Sequence, residues 1–116
     1  MKRFIVELGM GTDLHGGDVT KAAKRAVRDA VSKSCLCGIF EVAKLEKPDD
    51  MCIRLKICCP TPELLDKEQV VKSVPFGTVE LTVQEGGMVT EGLHLSQLGK
   101  GSSIVVALAS LTVCVE

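Results

Sequence analysis

Three segments of the chain alternate apolar and polar residues with a period of two, which is the pattern of a half-buried β-strand. They are residues 3–10, 51–59 and 77–87. A fourth segment, residues 104–115, is apolar on both faces. We therefore expect this last strand in the centre of the sheet, with its second face covered by another subunit. A weaker alternation predicts a further short strand at residues 38–45.

Helical periodicity is clearest after the first predicted strand. Either Asp18 or Gly17 can cap the start of this helix. From there the apolar residues recur at helical spacing: Val19, Ala22, Ala23, Ala26, Val27, Ala30 and Val31. Their small size lets the helix lie close to a sheet. The opposite face carries Lys21, Lys24, Arg25 and Arg28, which we interpret as a solvated surface or, less strongly, as an anion-attracting one. Prolines bracket a second, shorter helix at about residues 65–72.

The order of these elements predicts an α+β fold for a single domain of residues 1–116. We expect a two-layer sandwich with one mixed or antiparallel sheet and two helices on one face. The order is also similar to that of the chorismate-mutase-like and YjgF-like folds, in which subunits trimerise around ligand clefts, and this likeness implies a homo-oligomer. Residues 86–103 are glycine-rich without clear periodicity, so they are expected to form a loop or a partly ordered lid.

Composition narrows the function classes. The 116 residues carry a formal charge of −1, with three phenylalanines and neither tyrosine nor tryptophan, which argues against nucleic acid as a partner. Glu7 interrupts the N-terminal apolar run, and residues 104–115 are too short to cross a bilayer, so we expect a cytoplasmic protein without a membrane partner. The six cysteines are expected to be reduced and to pack as small apolar residues; Cys35 and Cys37 lack the second pair of a zinc site.

The segment GMGTDLHGGDVT, residues 9–20, is the candidate site. It joins a predicted strand to a helix N-terminus, where free N–H groups attract anions. Asp13 and His15 are candidate catalytic residues, acting as general acid and base, or as partial metal ligands together with Asp18. The glycines would admit a ligand to the backbone: Gly9, Gly11, Gly16 and Gly17. In the simpler alternative, Asp13 accepts hydrogen bonds from its own turn and the glycines only shape the bend.

A second group of candidates lies in the later glycine-rich segment. Gly86, Gly87 and Met88 would form the opposite wall of the site, and His94 is a weaker candidate for the same wall. Lys100, which lies between two glycines, could reach an anionic ligand, although an exposed loop lysine is the commoner case. The sequence identifies no cofactor and leaves both the presence of a metal and its identity open.

Residues 9–16, GMGTDLHG, resemble the G-x-G-x-D-x-H-G signature of the Lin family of conserved hypothetical proteins. The segments DVTKAAKRAVRDA, PFGTV and GGMVT also resemble segments of that family, so the likeness extends over most of the chain. It departs near residues 106–109, where family members carry an asparagine and this chain has Val-Ala-Leu-Ala. The resemblance implies membership of the family but no particular reaction.

Three hypotheses follow for residues 9–20. In the first, the segment binds a small polar or anionic metabolite, with catalysis by Asp13 and His15 as one form of that function. In the second, a non-enzymatic oligomeric module binds a metabolite or a metal there. In the third, the loop is a contact between subunits.

Overall fold

The computed structural model describes residues 1–98 and 101–116. Its strands are β1 (Lys2–Asp13), β2 (Cys52–Cys59), β3 (Thr78–Glu85), β4 (Met88–Glu91) and β5 (Ser103–Val115). Its helices are α1 (Val19–Val31), α2 (Gly38–Glu41) and α3 (Lys67–Lys72). Single turns of 3-10 helix lie at Pro48–Asp50, Pro62–Leu64 and Ser96–Leu98.

The strands form one mixed sheet in the order β1-β5-β2-β3. β5 is antiparallel to both of its neighbours, while β2 and β3 run parallel and are connected through α3. β4 pairs with the first residues of β5 on the same side as β2. The predicted α+β class and the central position of the last strand are therefore confirmed, whereas likeness to the chorismate-mutase-like and YjgF-like folds stays a prediction.

The core lies between one face of this sheet and the helices. Alternate residues of the two central strands point into it and are almost fully buried: Ile53, Leu55, Ile57, Leu111 and Val113. The alanines of α1 are buried against β1 and β5. This close packing requires glycine in β1, since a β-carbon on Gly9 would lie 2.2 Å from the carbonyl oxygen of Ala26, and one on Gly11 would lie 2.2 Å from that of Ala22.

Four predicted boundaries differ from the structure. The glycine loop does not begin at Gly9, because β1 continues to Asp13 beneath α1. Residues 38–41 are a helical turn rather than a strand, since the N–H of Val42 donates to the carbonyl of Gly38 at 2.9 Å. Ile39 is buried in this turn. The segment 86–103 is not all loop, because β4 lies within it. α3 begins at Lys67, where Asp66 caps it by accepting the N–H of Gln69.

Side chains of α1 and of the residues just after it satisfy the outer edge of β1, which pairs with no other strand of the described residues. Arg25 donates to the carbonyl of Thr12 at 2.7 Å, the N–H of Met10 donates to Asp29 at 2.9 Å, and Lys33 donates to the carbonyl of Leu8 at 3.1 Å. The match is geometric: four residues along a helix rise about 6 Å, and two residues along a strand rise about 6.6 Å. Every second residue of the strand therefore meets every fourth residue of the helical segment, and the edge is closed to further strands.

We expect Asp29 to make stability depend on pH in acid. The Met10 N–H and then Lys33 hold the pKa of Asp29 below its ordinary value of 3.8. A carboxylate with a lowered pKa in the folded state contributes stability above its ordinary pKa, and this is lost as the pH falls through the lowered one. Asp29→Asn should therefore reduce the free energy of unfolding at pH 6 but leave it close to wild type at pH 2, as measured by urea titration.

The matched control for that prediction is Asp50→Asn, because Asp50 is an exposed carboxylate of a 3-10 turn. It should shift the stability little at either pH. An equal difference between Asp29→Asn and wild type at both pH values would show that the charge of Asp29 is unimportant.

The other face of the sheet is open. Its β1 edge carries Val6, Leu8 and Met10, and the adjoining residues Met88 and Leu108 are also exposed. Towards β3 the same face becomes polar, with Arg54, Lys56, Glu80 and Thr82. The register explains this surface, because Met10 lies opposite Leu108 and Leu108 lies opposite Cys58. The predicted second apolar face of β5 is therefore present only in the first half of the strand, up to Leu108, because Ser110 and Thr112 lie in the polar part of this face.

The cysteines are free thiols. Burial raises the pKa of the Cys52 and Cys59 thiols, which keeps them protonated and unreactive. The expectation that all six pack as apolar residues is wrong for Cys35 and Cys37, which are exposed in the segment between α1 and α2.

None of the helices in the described part of the chain has the length and apolar character needed to cross a membrane.

Candidate functional site

The turn between β1 and α1 spans only residues 14–18, and two aspartates organise it. Asp13, the last residue of β1, is 6% exposed and accepts the N–H of Asp18 at 2.8 Å. Asp18 caps α1 in turn, because its carboxylate accepts the N–H groups of Thr20 at 3.0 Å and Lys21 at 3.1 Å. These backbone donors at the start of α1 are therefore already occupied by side chains of the protein.

Arg25 supplies the second partner of Asp13. Its Nη1 lies 3.8 Å from Asp13 Oδ1 while it donates to the carbonyl of Thr12. The buried carboxylate thus has both a hydrogen bond and a nearby positive charge. This arrangement is the one expected if Asp13 serves its own turn, the simpler of the two alternatives for this residue.

His15 differs from Asp13 because it is not fully satisfied. Its ring is half-buried, and Nδ1 is buried without a hydrogen-bond partner among the described residues. The structure brings the end of the later glycine-rich segment beside it: a β-carbon on Gly101 would lie 3.4 Å from the carbonyl oxygen of His15. His94 Nδ1 lies 3.2 Å from the Gly101 oxygen, so both histidines border the same residue. Lys100 and Gly99 lie outside the described residues.

The remaining predicted residues are less well placed around Asp13. Gly16 is close to it, since a β-carbon there would lie 3.1 Å from Asp13 Oδ2, and Gly17 adopts a positive φ of 62° at the turn. Gly87 lets the chain approach β5, where a β-carbon would meet the carbonyl of Val106 at 2.1 Å. Met88 aligns with Val106 on the open face, whereas Asp13 aligns with Val105 on the helix face. Met88 and Asp13 therefore lie on opposite sides of the sheet.

Within residues 1–98 and 101–116, no group of three histidine, cysteine or acidic side chains is arranged to hold a metal. The proposed set of Asp13, His15 and Asp18 accordingly does not form such a group.

A polar groove of about 380 Å³ begins at the same turn and continues along α1. It is lined by Asp18, Thr20, Lys21, Lys24, Arg25, Arg28 and Gln69. α3 provides the opposite wall and is fixed to α1 by a hydrogen bond from the N–H of Asp66 to Thr20 Oγ1 at 2.9 Å. The helical spacing of the four basic residues is visible in the sequence, whereas the wall from α3 depends on a contact between residues 46 positions apart.

Comparison with known proteins places this geometry in context. A family model described as "Conserved hypothetical protein (Lin0512_fam)" matches residues 3–113. The crystal structure of an FtsZ-like protein of unknown function from Nostoc punctiforme is 41% identical, with a TM-score of 0.91 over 99% of this chain and 96% of that chain. An FtsZ dimer from M. jannaschii is 17% identical over 92% of this chain and 26% of that one. Its TM-score of 0.35 is too low to indicate a shared fold. No curated protein matches the chain.

Proposed function

This chain belongs to the family described as conserved hypothetical protein (Lin0512_fam), as its N-terminal signature predicted, and from that premise we propose that it binds a small anionic metabolite in the groove between α1 and α3. The groove takes in Asp18 and Thr20, the last part of the candidate segment. The family description contains no reaction, so the proposal depends on the chemistry of the groove.

The observation that carries the proposal is the concentration of positive charge there. Lys21, Lys24 and Arg28 line the groove, and none of them forms a salt bridge with another residue of the described chain. Arg25 is different, since it is held by Thr12 and Asp13. These three cations form no ion pair and outnumber the one carboxylate of the lining, Asp18, which favours a ligand with more than one negative charge. An arginine can bind two oxygens of a phosphate or carboxylate at once.

We test the proposal with inorganic pyrophosphate, a small anion with several charges, by isothermal titration calorimetry. Lys24→Gln combined with Arg28→Gln should weaken binding about tenfold, because each exposed ionic contact contributes up to roughly 1 kcal/mol. The affinity of the wild type should also fall as salt is added. Both substituted residues point away from the core, so the fold is expected to be unaffected.

The control for this experiment removes the same charge elsewhere. Arg3→Gln combined with Lys47→Gln changes two exposed basic residues that do not line the groove. It should leave the affinity for pyrophosphate within about twofold of wild type, within the effect of distant screened charges. Equal weakening by the two double variants would mean that net charge, and not the groove, attracts the anion.

Catalysis by Asp13 and His15 is the second candidate function. One observation favours it: His15 has a buried ring nitrogen with no partner in the described chain, a nitrogen that could accept or donate a proton. A binding module returns its ligand unaltered, whereas an enzyme converts it. ³¹P spectra of pyrophosphate incubated with the protein, and with His15→Ala, distinguish the two functions for this probe: turnover that is lost in the variant supports the enzyme.

We also propose that the protein functions as a homo-oligomer in which a second copy covers the apolar part of the open face. Contiguous apolar surface on a sheet is typical of a contact with another protein. The first half of β5, an interior strand of the sheet, is apolar on both faces, which agrees with burial of both faces there. A second copy is the simplest occupant, because symmetric pairing buries the same patch on both subunits.

A further inference from the structure

A second cleft lies at the opposite end of α1 from the anion groove. Its volume is about 430 Å³, within the range of roughly 300–1,000 Å³ found for small-molecule sites. The lining is predominantly apolar and includes Val31, Leu36, Ile39, Phe40, Met51 and Phe76. This cleft therefore suits the body of a small hydrophobic molecule, and it shares no residue with the groove.

One charged side chain enters this apolar lining. Glu7 lies on the face of β1 that packs under the helices, and only 8% of the residue is exposed. The Ser34 hydroxyl donates a hydrogen bond to Glu7 Oε2. Among the described residues, no lysine, arginine or histidine forms a salt bridge with Glu7. A buried carboxylate is unfavourable without a compensating positive charge, and the chain does not supply one here.

We propose that the cleft binds a small organic amine, whose apolar body contacts the lining and whose protonated nitrogen pairs with Glu7. A protonated amine provides both the positive charge and the N–H donors that the carboxylate lacks. A carboxylic acid of the same shape is repelled by Glu7. A neutral alcohol gains the apolar contacts and a hydrogen bond but no ion pair.

Three probes with the same phenyl body test this selectivity: 2-phenylethylamine, 2-phenylethanol and 3-phenylpropanoate. In the wild type, the amine should bind at least about tenfold more tightly than the alcohol, because a hydrogen bond to a charged group is the stronger kind. The anion should bind most weakly. Glu7→Gln, which keeps the shape and removes the charge, should abolish the preference for the amine and retain binding of the alcohol. Equal affinities for the three probes in the wild type would overturn the proposal.

A second measurement uses only the wild-type protein. Cys35 and Cys37 line the cleft and are exposed, whereas Cys52, Cys59 and Cys114 are buried. Iodoacetamide should therefore label Cys35 and Cys37 fastest, and saturating 2-phenylethylamine should slow this labelling several-fold, while 3-phenylpropanoate at the same concentration should not. Mass spectrometry identifies the labelled sites. If saturating amine left the rate of iodoacetamide labelling unchanged at both cysteines, the amine would have to bind elsewhere, and the cleft would be rejected as its site.

The matched variant for the labelling experiment is Cys35→Ser combined with Cys37→Ser. It should lose the fast phase and keep its affinity for the amine, since the proposed contacts are with Glu7 and the apolar lining. Loss of amine binding in this variant would assign recognition to the thiols instead, and would overturn the role given to Glu7.

Discussion

Gly11→Ala is expected to lower the free energy of unfolding by about 3 kcal/mol, at the upper end of the range for an overpacked core. The added methyl group would lie 2.2 Å from the carbonyl oxygen of Ala22 and 2.3 Å from the N of Ala26. Both are backbone atoms of α1, so no side-chain rotation relieves the overlap. The helix has to move away from the sheet, and the alanine contacts beside it are loosened.

Urea denaturation measures this loss, and Gly17→Ala is the control. Gly17 has a positive φ of 62° but no heavy atom within 4 Å of an added β-carbon. Its substitution should therefore cost only the backbone strain of about 1–2 kcal/mol. A Gly11→Ala variant that is more stable than Gly17→Ala would show that α1 does not lie as close to β1 as the distances indicate.

Leu8→Glu is expected to dissociate the proposed oligomer into monomers. Leu8 is 64% exposed at the centre of the apolar strip of β1, so its replacement should disturb the isolated fold little. In an interface formed by the open face, the glutamate would be buried in an apolar contact without a partner of opposite charge. Such a burial should raise the dissociation constant on the order of 100-fold or more.

Sedimentation velocity over a range of protein concentrations measures the assembly. Leu64→Glu is a matched control, because Leu64 is 69% exposed in a 3-10 turn away from the open face. It should leave the oligomer intact. A wild-type protein that remains monomeric at high concentration would contradict the proposal, and so would equal dissociation by both variants.

Local periodicity was sufficient for the elements whose two faces have different surroundings. β2 has one buried and one largely exposed face, and α1 buries one alanine-rich stripe, so the alternation in the sequence corresponds directly to burial. The same reasoning failed for α2. Its four residues alternate weakly, but Gly38 lies against Phe4 and the backbone closes into a helical turn that buries Ile39.

β4 was missed for a different reason. All four of its residues are exposed, so it has no alternation in burial from which a strand could be recognised. Its backbone pairs with Ser103–Val106 at the start of β5, a contact that depends on how the segment between the two strands folds back. The pairing with the next strand, and not the local pattern, makes this segment a strand.

The candidate site shows the same division. The sequence identified the turn around Asp13 and His15 as unusual, and the helical spacing of the basic residues along α1 was also visible in it. It also offered, as one alternative, that Asp13 accepts a hydrogen bond from its own turn, which Asp18 supplies. It did not reveal the second partner, Arg25, because that contact depends on the packing of α1 against the end of β1. The roles of Asp13 and His15 in binding or catalysis stay predictions.

The amino-acid order alone was enough to specify the family, the α+β class, the central final strand and the amphipathic helix, because each can be read from local motifs and periodicities and from their order along the chain. Tertiary contacts alone decided which glycines serve packing, which charges are paired, and where two clefts open at opposite ends of α1. The physical reason is distance: Glu7 meets Ser34 and Thr20 meets Asp66 only after folding. Burial then determines how unfavourable it is to leave a charge such as that of Glu7 without an opposite charge.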